Sequence, residues 1–229
     1  EYLTIAVDMI VDGDLMVLDF SRSSPACAGP LNIARSTAVA CCYVGLKHIF
    51  PDVPANAGCL APIEFVIPST SLLGVDPPKP VGGYTETILR VIGVLFGAMS
   101  KAAPALSTAA PFGTINALSI AGERDRKRWV MFSFFGGGLG GNPHSDGLGC
   151  YAPFGIAGGG EGALNRFSWT TSKGTFTPPL ASKVTGVRIA KGERIRLETP
   201  GGGGYGDPSE RDPERIARDI RLGYVSEAA

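Results

Sequence analysis

The chain has 229 residues, with 21 Lys plus Arg against 21 Asp plus Glu and a formal net charge of zero. Charged residues make up 18%, below the usual ~25%, which argues against a nucleic-acid or anionic-membrane footprint. A chain of this length buries roughly 70% of its unfolded surface without disulfide or metal staples. Glycine is abundant at 32 residues, proline stands at 18, and the mean hydropathy is +0.15, so much of the surface is expected to face another protein.

The N-terminus, Glu1-Tyr2-Leu3-Thr4, has no basic region and no initiator Met, and reads as the edge of something longer rather than as a signal peptide. Tyr2 to Ile10 and Leu15 to Phe20 are β-rich runs flanking Val11-Asp12-Gly13-Asp14, a hairpin signal. Asn32 to Phe50, Ala-rich and ending before Pro51, fits a largely buried helix. Ile63 to Ile67 is a short strand between two prolines. Apolar residues from Ile88 to Met99 recur at three- and four-residue spacing, with Glu86 in the first turn, so a helix runs from Thr85 to Pro104. Arg90 interrupts this stretch, which is shorter than the ~20 residues a bilayer span needs. No membrane association is expected.

Thr114 to Ala121 and Arg128 to Phe135 read as strands around a charged, solvated tip, Glu123 to Lys127. The Gly-rich zone from Gly136 to Gly162 is the nearest thing to a boundary. Lys183 to Ile189 and Arg194 to Glu198 form another hairpin pattern around Ala190 to Glu193. Asp212 is a good N-cap, Pro213 suits the first helical position, and Gly223 suits the position after the end. Tyr224 to Ala229 reads as the start of a further element. Hairpins mixed with separate helices, without regular strand–helix alternation, predict an α+β fold: a mixed sheet with hairpins, Gly-rich loops and a few buried helices. One region spans 1–229, with a junction near 150–157.

Cys27, Cys41, Cys42, Cys59 and Cys150 are odd in number and contain no Cys-x-x-Cys pair, which points to a reducing, cytoplasmic compartment. Cys41 and Cys42 lie in an apolar helical stretch and are expected to pack as small hydrophobes. With His48 and His144 the only histidines, no metal site is expected on this chain.

Two segments match Gly-x-Gly-x-x-Gly, at Gly136, Gly138, Gly141 and at Gly201, Gly203, Gly206. At this glycine content a chance match is nearly expected, and Pro143 and Asp207-Pro208 stop a helix from following at once. No phosphate-binding Gly-x-x-x-x-Gly-Lys-Ser/Thr loop exists. Such loops still suit an oxyanion, because glycine presents several backbone N–H groups to one point. The first of them adds an amide, Asn142, a proton carrier, His144, and a carboxylate, Asp146.

Several strings resemble the hydantoinase B/oxoprolinase family: Asp19-Phe20-Ser21-Arg22-Ser23-Ser24-Pro25, Gly29-Pro30-Leu31-Asn32, Asn56-Ala57-Gly58-Cys59, Gly113-Thr114-Ile115-Asn116, Gly136-Gly137-Gly138-Leu139-Gly140, and the stretch from Glu198 to Pro208 followed by Arg211-Asp212-Pro213. Family members are longer; their N-terminal half carries metal-type His and Asp motifs, and a further glycine-rich stretch lies where Cys150 to Ala157 stands here. The resemblance implies a component of an ATP-dependent cyclic-amide hydrolase acting on hydantoins, 5-oxoproline or lactams. It implies an obligatory partner, the hydantoinase A-type ATPase subunit, which holds ATP and Mg in a hetero-oligomer. A divalent metal is implied on the part of the family without a counterpart here. A subunit of an ATP-dependent ketone carboxylase and a non-catalytic scaffold are the alternatives. Ring opening needs a base, a positioned water and donors for developing charge. The expected catalytic residues are Asp146, His144, Asp19 and Glu86, and the expected substrate-binding residues Asn32, Asn116, Asn142 and the backbone of Gly137, Gly138 and Gly140. Each carries a structural alternative, such as Asp19 capping a turn or Asn32 and Asn116 satisfying buried backbone groups.

Overall fold

In the computed structural model, residues 2–145, 147, 154–179 and 183–225 are described. The first hairpin joins β1 (Asp8–Asp12) to β2 (Leu15–Asp19), with Asp12 opposite Leu15 and Gly13 at φ +55 in the two-residue turn. Glycine is needed there because a side chain at positive φ is strained. β3 (Ile63–Val66) lies parallel to β2, so the sheet order β1-β2-β3 is mixed, as an α+β fold requires. Residues 2–7, expected as part of the first strand, form no ladder. They run instead beside the turn after β2, where the Thr4 carbonyl accepts from Ser24 N–H at 2.8 Å.

Two helices cover this sheet. Helix α1 (Arg35–Ile49) buries Ala38, Cys41, Cys42, Leu46 and Ile49, and α2 (Tyr84–Ala102) buries Thr87, Val91, Leu95, Phe96 and Met99 at the four-residue spacing of a packing ridge. They touch where Gly45 lies so close to Leu95 that an added Cβ would stand 2.9 Å from its Cδ1. Leu18, Phe20, Ile33, Leu72, Leu73, Val91 and Leu95 fill the space between helices and sheet, each stabilising the fold by about 2 kcal/mol through area removed from water. Burial pushes the Cys41 thiol up to about 11 and the Cys42 thiol up to about 12, as expected of thiols used for packing.

After α2 the chain changes character. Residues 109–112, 136–141 and 200–204 run as extended segments that bond pairwise in all three combinations. Ala109 and Phe112 N–H donate to Gly141 and Gly138 carbonyls at 2.9 Å, Gly138 and Gly141 N–H to Pro200 and Gly203 at 2.8 Å, and Gly203 N–H to Ala110 at 2.8 Å. In a flat sheet the two outer strands lie ~9–10 Å apart and cannot bond. The three segments therefore form a triangular bundle, which a side chain on an inward position would pry open. A fourth segment, 154–160, joins through Ala110 N–H to Phe154 and Ile156 N–H to Gly204.

From this bundle projects a hairpin, β4 (Asn116–Arg124) with β5 (Lys127–Phe135), closed by Asp125 and Arg126 at φ +53 and +61. A last antiparallel sheet has the order β7-β6-β8, from β6 (Arg166–Thr171), β7 (Gly174–Phe176) and β8 (Arg194–Glu198). This corrects the hairpin expected from Lys183 to Glu198. Gly186 at φ +74 takes the chain out of the β region, and β8 pairs with β6, setting Leu197 opposite Phe167 and Ile195 opposite Trp169. Helix α3 (Pro213–Arg221) begins as expected, the Asp212 carboxylate accepting from Glu214 N–H at 2.8 Å, and Gly223 ends it at φ +74. The further element expected from Tyr224 falls largely on residues outside those described.

Candidate functional site

The base of the β4–β5 hairpin meets the first turns of α2. Glu86, in the first turn of α2, accepts the Ile115 N–H on one carboxylate oxygen at 3.1 Å, tying helix to hairpin. The next residue, Asn116, is 7% exposed, and its amide nitrogen is the one buried side-chain polar atom without a hydrogen-bond partner among the described residues. An amide N–H₂ left unpaired away from water costs roughly 1–3 kcal/mol, so such a group marks a place where an acceptor belongs. One turn along α2 from Glu86, the Arg90 guanidinium lies against Gly113, where an added Cβ would stand 3.1 Å from Nη1; Gly113 itself sits at φ +60. Sequence reasoning points to Glu86 and Asn116 but misses Arg90. A signal for it exists, because an arginine interrupting an apolar helix four residues after an acid needs a reason to be there.

Asn32 is fully satisfied. It is completely buried, accepts from Cys27 N–H at 2.8 Å, and donates to the Cys27, Gly29 and Pro80 carbonyls at 3.0 Å. It clamps the 27–32 loop to the approach of α2, where Gly83 N–H donates to Pro30 and Thr87 Oγ1 donates to Leu31. Asp19, at the end of β2, accepts from Ser21 N–H at 2.7 Å and caps the turn. The neighbouring Arg22 makes a two-pronged pair with Asp8 at 2.5 and 2.6 Å, which holds the Asp8 carboxyl below its usual range.

The glycines expected to offer backbone donors lie inside the bundle. Gly138 donates its N–H to Pro200. A Cβ on Gly137 would stand 2.4 Å from Phe112, and one on Gly140 only 1.7 Å from the Ala109 carbonyl oxygen. Asn142 spends its side-chain oxygen on the His144 and Ser145 N–H groups, both at 2.9 Å, closing the turn that leaves His144 exposed. Asp146 lies outside the described residues. The Asn142–His144 turn follows Gly141, whereas Asn116 and Phe135 adjoin Gly136. At ~3.1 Å per extended residue the two groups sit about 15 Å apart along the bundle. The structure thus ties Glu86 to the backbone of Ile115, the residue before Asn116, sets Arg90 against Gly113, and leaves His144 at the other end.

A cavity of about 350 Å³ opens elsewhere, between the β1–β2 turn and the end of α1, lined by Leu15, Tyr43, Leu46, Phe50, Cys59 and Pro62 among others. It is mostly apolar, and Lys47 on its wall donates to the Pro51 and Val53 carbonyls. Among the described residues no three His, Cys, Asp or Glu side chains gather as a metal site would need, and no helix is long and apolar enough to cross a membrane.

Comparison with known proteins places this architecture. The chain is 22% identical over 297 residues to the B component of a putative D-/L-hydantoinase from a Pseudomonas species, covering 98% of this chain and 50% of that one. Its fold matches that of the ATP-dependent caprolactamase of Pseudomonas jessenii with a TM-score of 0.69 at 19% identity, over 97% of this chain and 52% of the other. It also matches an acetone carboxylase, in its nucleotide-free structure, with a TM-score of 0.67 at 15% identity, over 99% and 44%. The chain therefore spans about half the length of these relatives. The family model for hydantoinase B/oxoprolinase matches residues 1–152 and 149–208. With the glycine bundle and the hairpin base both inside those stretches, the chain belongs to the hydantoinase B/oxoprolinase family.

Proposed function

We propose that the chain is a component of an ATP-dependent cyclic-amide hydrolase and that it supplies ring-opening groups at an interface with a hydantoinase A-type ATPase subunit. The observation that carries this reading is the buried, unpartnered amide of Asn116, one residue along the chain from the Ile115 N–H that Glu86 accepts, within a chain of the hydantoinase B/oxoprolinase family. An amide carbonyl is a poor electrophile; ATP and Mg, held on the partner, supply the phosphoryl group that activates its oxygen. The Asn116 N–H₂ then donates to the oxygen that gathers charge as water adds. Glu86 spends one carboxylate oxygen on Ile115, and its other oxygen takes a proton from the water or steadies the ring nitrogen. Asn32 holds the loop that frames them, and the bundle of Gly137, Gly138 and Gly140 fixes the hairpin base. His144 and Asp146 form a second, separable candidate group at the far end. The odd cysteine count suits a reducing, cytoplasmic setting.

The test is to assemble the enzyme with its ATPase subunit and to measure ATP hydrolysis and ring opening side by side. Glu86→Gln and Asn116→Leu are expected to keep ATP hydrolysis and to lower ring opening at least ~100-fold, the scale of a lost oxyanion donor. Unchanged ring opening in both refutes the site. The same assay on His144→Ala and Asp146→Asn decides whether that loop takes part. The fold likeness to acetone carboxylase favours a second reading, carboxylation of a ketone. Net bicarbonate consumption would select it, and absence of turnover with intact co-assembly would select a scaffold.

A further inference from the structure

The β4–β5 hairpin is a two-stranded sheet of its own and carries exposed apolar surface on both faces. Its register sets Val130, Phe132 and Phe134 on one face, opposite the small residues Ala121, Ser119 and Ala117. Val130, Phe132 and Phe134 are 71%, 58% and 68% exposed. The other face shows Trp129, Met131 and Phe135, each 40–44% exposed. A lone two-stranded hairpin is marginal in water, and a contiguous apolar patch on one marks a docking surface.

From this arrangement we infer that the hairpin is a docking arm that enters a cleft of the ATPase partner, a cleft with two apolar walls and acidic residues at its floor. The inference rests on the partner reading given under Proposed function. Three observations choose this occupant over a second copy. The ridge of Val130, Phe132 and Phe134 offers only about 350 Å² of exposed area, taking aromatic side chains at ~200 Å² each, and an isologous contact through that one face falls well short of the ~800 Å² per partner of a stable interface. Covering both faces raises the area to roughly 600 Å² on the same scale, and a cleft is the shape that covers both. The tip from Glu123 to Arg128 carries four cations, Arg124, Arg126, Lys127 and Arg128, against two anions, Glu123 and Asp125, so the surface it reaches, about 30 Å out along nine residues, is acidic. Finally, the base of the arm is the Asn116–Phe135 pair, so a partner that grips the arm also stands over the candidate site.

The test titrates the full chain against the A-type ATPase subunit of the same organism by calorimetry, with light scattering to give the mass of each species. Phe132→Glu with Phe134→Glu is expected to weaken binding at least ~100-fold while circular dichroism stays unchanged, since both side chains already face solvent. Lys127→Glu with Arg128→Glu is expected to slow association and to flatten its salt dependence. Full-strength binding by the Phe132/Phe134 variant overturns the arm but leaves the partner reading standing. No binding by the unmodified chain overturns both. A dimer of the chain alone that dissolves in the Phe132/Phe134 variant assigns the surface to a second copy and overturns the cleft.

Discussion

Gly140→Ala tests the triangular bundle most directly. A Cβ there would stand 1.7 Å from the Ala109 carbonyl oxygen and 2.4 Å from its carbon. Relief to ordinary contact requires the two segments to part by roughly 1.5–2 Å. Parting them breaks the bonds from Ala109 N–H to Gly141 and from Phe112 N–H to Gly138, both 2.9 Å, each with a net value of about 1 kcal/mol. Overpacking strain adds roughly 1–3 kcal/mol. The expected destabilisation is therefore about 3–5 kcal/mol, a large part of a typical 5–15 kcal/mol total. Gly136→Ala is the control: it lies in the same glycine run, yet nothing stands within 4 Å of its added Cβ, so its effect should stay within about 1 kcal/mol. Urea unfolding followed by circular dichroism compares the two. Amide exchange at Gly138, Gly141 and Gly203, whose N–H groups all donate within the bundle, reports whether the loss is local. Equal midpoints for the two variants would refute the packing argument, because they differ only in the room available to one methyl group.

Two further outcomes are expected on stability. Asn32→Ala removes one acceptor and the donors to three carbonyls in a fully buried position, and should cost about 3–4 kcal/mol in the same urea assay, whereas a surface Asn→Ala stays within about 0.5 kcal/mol. Cys41 and Cys42, with thiols raised to about 11 and about 12 from an ordinary 9.0, should resist alkylation at about pH 8 in the native chain, while Cys27 and Cys59 label first. The linkage has a definite sign: the unfolded thiols lose protons near pH 9 and the folded ones do not. Their contribution is complete below about pH 9 and declines as pH rises from about 9 to about 11–12. Native-state labelling of Cys42 ahead of Cys59 would contradict this.

Much of the fold is legible wherever local chemistry decides it. Asp12-Gly13 closes the first hairpin, the three- and four-residue apolar spacing from Ile88 to Met99 makes α2, and Asp212-Pro213 starts α3. Long-range pairing is not legible in this way. β8 has two strands it could join in sequence terms, and the choice of β6 is made by Gly186 leaving the β region and by the aromatic residues Phe167 and Trp169 waiting across the sheet. Nor does any local pattern reveal that β3 lies parallel to β2, since that pairing depends on α1 crossing between them. The candidate site divides along the same line. Glu86 and Asn116 are visible as residue types, but that Glu86 is tied to the residue before Asn116 follows from a hairpin base meeting a helix start across some thirty residues.

The glycines show why composition can mislead about chemistry. A run such as Gly136 to Gly141 permits two uses with opposite consequences: N–H groups turned outward to bind an anion, or N–H groups turned inward to bind neighbouring backbone. Here Gly138 and Gly141 donate to Pro200 and Gly203, and the space of absent side chains is filled by Phe112, Ala109 and Pro200. Donors already engaged at 2.8 Å cannot also stabilise a developing negative charge without breaking the bundle that holds them. The hairpin end of the bundle is flanked by Asn116, whose amide nitrogen has no partner, and by Glu86 and Arg90 on the adjoining helix. A side-chain-free bundle is well suited to hold that end still, because its backbone has little freedom left to yield.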